Sequence, residues 1–425
     1  MSDAPATPRG YTNYVLGIMF ALTALNVMDR QVLSVLVEPV KQEFGLSDSR
    51  MGLLTGSAFA LAHALAMIPV ARLADLGSRR NVIAVGLFAW SALTALTGSS
   101  RAYWHLFVTR VGVGACETVG SGPAQSLLSD YFPPERRGTA LSIHASGGTF
   151  GAMAGFAIGG LLADAVGWRW TFVCFGAPGL LLAAVLWWTV REPQRGVFDD
   201  ARADEAPPSV AETLRFLGRL PSFRHVVLAA SLNAFVNWAL LSWAAAAMMR
   251  GHGLSVGEVG ARLAVSMTLS SALGLIAAGA LADRLGRRDT RWYLWLPAAA
   301  SVGAIPFVVA FLLWPDPAQA FWLVVPGAFL NSMWVGTYNA VVQSLAKPRM
   351  RAMASAVNTL ISTGLIGQGL GPLLVGILSD RLEPSYGKDA LRVALAVAVF
   401  AHLWGAIHSV LASRTLRADQ RARQA

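Results

Sequence analysis

The feature that most constrains this chain is the recurrence, along nearly its whole length, of apolar runs about twenty residues long. Residues 14–36, 226–249, 352–378 and 391–410 are examples. Each is about the length an α-helix needs to cross the hydrocarbon of a bilayer, and a helix satisfies its own backbone hydrogen bonds there. They repeat too often to be core helices of one globule. With 55% apolar and 14% charged residues, the 425-residue chain also lacks the charge to cover a soluble surface of its size. An all-α integral membrane protein of twelve transmembrane helices is expected.

The net charge of +10 would point to nucleic acid in a soluble protein. Here the basic residues fall in the short loops between apolar runs, and no basic cluster is interleaved with aromatics, so nucleic acid is not an expected partner. Alternate loops, counted with Arg9, carry 23 of the 34 Lys and Arg. The opposite loops carry 9, and only Arg30 and Arg110 lie inside helices. By the positive-inside rule both termini are cytoplasmic. The excess of Arg over Lys is that of GC-rich bacterial coding, so the expected location is a cell inner membrane. Met1–Gly10 is polar and the first apolar run is too long for a cleavable signal, so the first helix acts as its own insertion signal. Cys116 and Cys174 lie within apolar runs, where no disulfide is expected.

An internal repeat organises the chain. Leu46-Ser47 with Gly52 recurs as Leu254-Ser255 with Gly260, and Asp75 with Arg79-Arg80 recurs as Asp283 with Arg287-Arg288, all at an offset of 208 residues. Gly151, Gly155, Gly160 and Asp164 recur as Gly367, Gly371, Gly376 and Asp380. Equal orientation of the charged loops makes this a parallel repeat: two six-helix bundles related by a pseudo-two-fold axis along the membrane normal. The expected divisions are an amino-terminal bundle (1–192), a cytoplasmic linker (193–221) and a carboxy-terminal bundle (222–425). Within the linker, beyond Pro207-Pro208, Ser209 and Glu212 form a capping-box pattern ahead of Leu214, Phe216, Leu217 and Leu220. That pattern fits a short interfacial helix, with a disordered linker as the alternative.

Gly279-Ala-Leu-Ala-Asp283-Arg284-Leu-Gly286-Arg287-Arg288 resembles the loop signature of the major facilitator superfamily. The first-half copy, Ala71 to Arg80, keeps Asp75, Arg79 and Arg80 but has Ala71 and Ser78 for two glycines. The resemblance implies a secondary transporter with a cytoplasmic charge latch made by Asp75, Arg79, Arg80, Asp130, Asp283, Arg287 and Arg288. In that latch Asp75 stands near the amino end of helix 11 and Arg79 near Asp130. These arginines also serve as topology signals whether or not they latch anything. A narrower resemblance, carried by Asn26-Val-Met-Asp29-Arg30, Trp90-Ser91, Arg110 with Gly112, Gly114 and Glu117, Pro123, Ser129-Asp130-Tyr131-Phe132 and Gly167-Trp168-Arg169, is to the Spinster family, which is associated with sphingolipid and lysophospholipid transport. It is good in helices 1 to 6 and weak in the second half.

Asp29, Arg30, Arg110 and Glu117 lie far from any loop. A charge at mid-membrane costs several kcal/mol unless it is paired or faces water. Arg110 and Glu117 are two turns apart on one face of helix 4 and need partners on another helix. The expected network has Arg110 facing Asp29 and Arg30 approaching Glu117, with Asn26 beside them. Glu117 or Asp29 would exchange a proton while Arg30 and Arg110 hold a substrate anion, the alternative being a static cluster that fixes the packing of helices 1 and 4. In the second half, Asn233, Asn237, Trp238, Asn331, Trp334, Tyr338 and Asn339 are cavity candidates, against the alternative that such aromatics are anchors or packing. His63 and His144 are read as packed neutral side chains. The glycines of helices 5 and 11 are either hinges or close-packing positions.

No GxxxxGK[ST], HExxH, GxSxG or Cys/His metal cluster is present, so no enzyme, metal or cofactor is expected. The expected function is transport of an amphipathic, lipid-like substrate, lysophospholipid or sphingoid phosphate, by alternating access with protons as the coupling ion and a monomer as the working unit. Proton-coupled symport of small organic anions is the alternative within transport. A non-transporting membrane sensor is the alternative outside it.

Overall fold

The computed structural model describes residues 8–196, 198 and 209–422. Every regular element among them is helical. Nine stretches are long and apolar enough to cross a bilayer, and two of these are too long for one crossing. The 56-residue stretch Pro134–Thr189 breaks at Gly167, whose φ of 79° no side chain would tolerate well. Pro348–Arg421 breaks at Gly387, φ 53°. With the interrupted helix over 103–131, these divide into twelve crossings: α1 (Arg9–Val35), α2 (Asp48–Leu76), α3 (Arg79–Thr97), α4 (103–131), α5 (134–166), α6 (168–189), α7 (Pro221–His252), α8 (Val256–Gly286), α9 (Trp292–Leu313), α10 (Pro317–Leu345), α11 (351–386) and α12 (390–421).

The chain packs as two compact units, Met1–Leu36 with Leu61–Asp204 and Val37–Ala60 with Glu205–Ala425. In the first, α1 and α5 meet along Gly147, Gly151 and Gly155. A Cβ at Gly147 or Gly151 would overlap the backbone of Phe20 or Ala24, and one at Gly155 would lie 2.7 Å from the Gln31 Cβ. In lipid, where helices have no hydrophobic drive to associate, such small-residue contacts are what let backbones approach. These helix-5 glycines are therefore close-packing positions. Gly364 and Gly367 of helix 11 fall inside a π-helical segment, Thr359–Leu370. π segments also interrupt α2 at Leu53–Ser57 and α8 at Ala264–Leu269, near corresponding points of the two repeats.

In the second unit the stretch from 37 to 60 is tied down by charge. Arg250 at the end of α7 donates from both terminal nitrogens to the Asp48 carboxylate at 2.7 Å and from Nε to Glu38 at 2.5 Å. Asp380 on α11 accepts the Asp48 and Ser49 backbone N–H groups at 2.8 Å each, capping the start of α2. The linker carries a helix at Val210–Arg219, with the Ser209 hydroxyl accepting from the Glu212 N–H at 3.1 Å and Leu217 buried in the second unit's core. Pro207-Pro208 lie outside the described residues.

Candidate functional site

Helix α4 does not run straight through. Its α-helical pattern ends at Cys116, a 3-10 turn covers Glu117–Gly120, and Ser121 leaves helical geometry at φ −101°, ψ −95°. Gly120-Ser121-Gly122-Pro123 explains the break, because the proline supplies no N–H and crowds the residue before it, while glycine holds helix weakly. The change of winding leaves the Glu117 carbonyl accepting a 3.4 Å hydrogen bond from the Asn26 side chain of α1.

Around this break the first unit gathers four charges. Arg30 Nε donates to Glu117 Oε2 at 2.7 Å, with the Glu117 side chain fully buried and the Arg30 side chain 17% exposed. Adjacent residues on a helix point about 100° apart, so Asp29 and Arg30 reach different neighbours. Asp29 turns to α3, where the Thr94 hydroxyl donates to its Oδ2 at 3.2 Å. Arg110 is buried within electrostatic reach of Glu117, then Arg30, then Asp29. Arg110 thus has both carboxylates in electrostatic reach, while the hydrogen bond that Asp29 accepts comes from Thr94 of α3. Among the described residues Glu117 Oε1 is buried and accepts no hydrogen bond, and the buried Asp29 carboxylate has the Trp90 indole beside it as well as Thr94. His63 of α2 joins the group through a 3.1 Å contact between Nδ1 and the Gly114 carbonyl, with Arg30 in electrostatic reach. His144 is held by the Met19 carbonyl and Thr23 of α1.

At the other end of the unit, the loop between α2 and α3 is held by its own bundle. Buried Arg79 bonds Asp130 at 2.5 Å and Glu192 at 2.8 Å. Glu192 also accepts from the Ser78 hydroxyl and the Arg80 N–H, at 2.9 and 2.8 Å. Burial pushes the Glu192 carboxyl up, but the Arg80 N–H, the Arg79 guanidinium and the Ser78 hydroxyl together hold it below its ordinary value. The Arg195 guanidinium donates to the carbonyls of Ala74, Asp75 and Gly77. Arg80 turns away from this group onto the Trp187 ring. Asp75 is exposed, as are Asp283, Arg287 and Arg288; the Asp283 carboxylate accepts from the Tyr293 hydroxyl at 2.6 Å. Sequence reasoning missed Glu192 and Arg195, although Arg191-Glu192-Pro193-Gln194-Arg195 directly after α6 is a charged, proline-stiffened signal. Thr94 gave no signal, being one of many hydroxyls in apolar helices.

The second unit's polar residues divide. Asn233, Trp334 and Tyr338 are buried in its interior: Asn233 accepts from Ser301 at 2.6 Å, Tyr338 shares a hydrogen bond with Ser409 at 2.5 Å, and Trp334 packs in the core. The Asn233 and Tyr338 hydrogen bonds are made within their own bundle. Asn331 is also buried and donates to half-buried Asn237 at 3.2 Å, and Asn339, half-buried, accepts from Asn358 at 3.2 Å. Trp238 is half-buried on α7.

The family profile described as Major Facilitator Superfamily matches residues 19–372. An MFS-type efflux pump of Mycolicibacterium smegmatis is 34% identical over 408 residues, covering 95% of this chain and 93% of that protein. Protein spinster homolog 1 of Homo sapiens is 26% identical over 446 residues, covering 98% of this chain and 83% of the relative. A crystal structure of a bacterial homolog to the human lysosomal transporter Spinster, in an inward-facing and unoccupied conformation, superposes with a TM-score of 0.89 at 31% identity, covering 97% of this chain and 99% of that one.

Proposed function

The chain belongs to the Major Facilitator Superfamily and is a membrane transporter resembling the Spinster proteins, and on that premise we propose that it moves a lipid-like amphiphile with an anionic head, a lysophospholipid or sphingoid phosphate, by proton-coupled alternating access. The observation that carries the coupling is the buried Arg30–Glu117 pair beside Asp29 and Arg110, with Glu117 Oε1 left without a donor among the described residues. Two carboxylates and two guanidiniums balance. A proton bound at Glu117 Oε1 or Asp29 Oδ1 leaves the group with an excess positive charge, which attracts an anionic head; loss of the proton restores the balance and releases it. Asn26, through the Glu117 carbonyl, holds the α4 turn in place.

The proposed placement is a cell inner membrane with both termini cytoplasmic, an amino-terminal bundle over 1–192, a linker over 193–221 and a carboxy-terminal bundle over 222–425. Arg79, Asp130 and Glu192 act as the latch on the cytoplasmic side, with Asp75 and the repeat copies Asp283, Arg287 and Arg288. Asn233, Asn237, Trp238, Asn331, Trp334, Tyr338 and Asn339 are the second-half residues offered to substrate, with half-buried Asn237, Trp238 and Asn339 the most accessible of them. The lipid reading draws on the Spinster likeness. The test is uptake by reconstituted vesicles of a panel of lysophospholipids, sphingoid phosphates and small carboxylates, with and without an imposed pH gradient. Gradient-dependent movement of the lipids supports the reading. Movement of carboxylates alone makes the protein an organic-anion symporter, and binding without flux makes it a sensor.

A further inference from the structure

On the outer face of the first unit, α3 and α6 enclose an apolar groove of about 250 Å³. Its floor is made by small side chains, Ala84 and Ala183, and its walls by large ones, Phe88, Leu180, Trp187 and Trp188. The volume is below the roughly 300–1,000 Å³ of a pocket that encloses a ligand, so the occupant lies along the groove and is not swallowed by it. From Arg80 to Phe88 on α3, and from Trp188 back to Leu180 on α6, the rise is about 12 Å, close to the roughly 15 Å of one hydrocarbon leaflet. A cation stands at the mouth. The Arg80 guanidinium lies 5.2 Å from the Trp187 ring centroid and donates from Nη1 to the Trp187 carbonyl at 2.5 Å. One of its five N–H donors is used there, and the fork is fixed at the level where tryptophans anchor at the membrane surface.

We propose that this α3–α6 groove holds one anionic phospholipid of the bilayer, an acyl chain over Ala84 and Ala183 and its phosphate on Arg80. Apolar walls one leaflet long select a chain, and a single pinned guanidinium selects negative charge at its end. The site does not depend on which substrate is transported. It also gives the paired arginines of the loop different tasks: Arg79 is buried on Asp130 and Glu192, while half-buried Arg80 stacks on Trp187 of the groove wall.

The test is native mass spectrometry of the full chain released from micelles containing equal phosphatidylglycerol and phosphatidylcholine with identical chains. Phosphatidylglycerol adducts should exceed phosphatidylcholine adducts by about fivefold, the gain of one basic group at a membrane surface. Arg80→Gln should bring the ratio to near one. Ala184→Phe, which fills the groove from a half-buried position, should lower both adducts. A photoreactive phosphatidylglycerol should crosslink within 84–88 and 180–188 in the unaltered protein, a readout independent of whether either variant folds. The proposal is overturned by an unchanged lipid ratio in Arg80→Gln, by undiminished adducts in folded Ala184→Phe, by crosslinks elsewhere, or by displacement of the phospholipid by the transported amphiphile.

Discussion

A double-mutant cycle between Arg30 and Glu117 tests the centre of the proposed coupling site. The two are joined by one 2.7 Å hydrogen bond between a fully buried carboxylate and a guanidinium that is 17% exposed. At charge centres about 4 Å apart and an effective dielectric near 20, the gross attraction is about 4 kcal/mol. Removing the carboxylate altogether strands a largely buried arginine, so Glu117→Ala should cost about 3–5 kcal/mol. Glu117→Gln keeps an acceptor oxygen for Arg30 and loses only the charge assistance, so its cost should be about 1–2 kcal/mol. Combined with Arg30→Gln, the cycle should return a coupling energy of about 1–3 kcal/mol. Reversible unfolding of the purified variants in detergent measures the stability arm, and uptake by sealed vesicles with and without a pH gradient measures the transport arm. Glu117→Gln should transport at a rate that no longer responds to the gradient. A coupling energy below about 0.5 kcal/mol together with a full gradient response in Glu117→Gln would refute both the pairing and its role.

Glu192 gives a signed pH dependence. Its native carboxyl is held below the ordinary 4.5, so its contribution is fully present above that pH and is lost as pH falls through the lowered native value. The stability difference between the unaltered protein and Glu192→Gln should therefore be largest near neutral pH and disappear in acid; a difference that grows in acid reverses the sign. Arg250→Ala removes the cation shared by Asp48 and Glu38, leaving Lys41 on Asp48, and should cost about 3 kcal/mol or more in thermal unfolding. Arg250→Lys, which cannot bond Asp48 in a fork, should recover part of it, and equal stability of all three proteins counts against the cluster. Gly151→Ala drives a methyl into the Ala24 backbone and should fail to give a monodisperse protein. Gly148→Ala meets side chains at ordinary contact distance, Val27 at 3.4 Å and Thr23 at 3.9 Å, and should behave normally, a contrast read by size exclusion and melting temperature.

The membrane class, the crossings and the duplicated architecture were legible in the sequence because lipid permits so little: apolar runs must be helices, and basic loops mark one side. The four intramembrane charges were legible for the same reason, since each is costly unless it does something. The approach of Arg30 to Glu117 was legible as well, and the structure shows it at 2.7 Å; the partner of Asp29 was not. Neighbouring residues on α1 diverge, so Asp29 accepts from Thr94 of α3 while Arg30 bonds Glu117, and Arg110 keeps both carboxylates in electrostatic reach. Thr94 and Glu192 were invisible because a hydroxyl or a loop carboxylate acquires meaning only from what packs against it. Asn233 and Tyr338 read alike with Asn237 in sequence, yet the first two are fully buried and Asn237 is half-buried. By itself, then, the sequence determined the solvent, the secondary structure, the repeat and the set of charges, because each follows from the cost of putting a group into hydrocarbon. Only the tertiary structure decided the Thr94 partner of Asp29, the unwinding of α4 at Glu117 and the different directions of Arg79 and Arg80, because these depend on helix rotation and close approach, which no local pattern encodes.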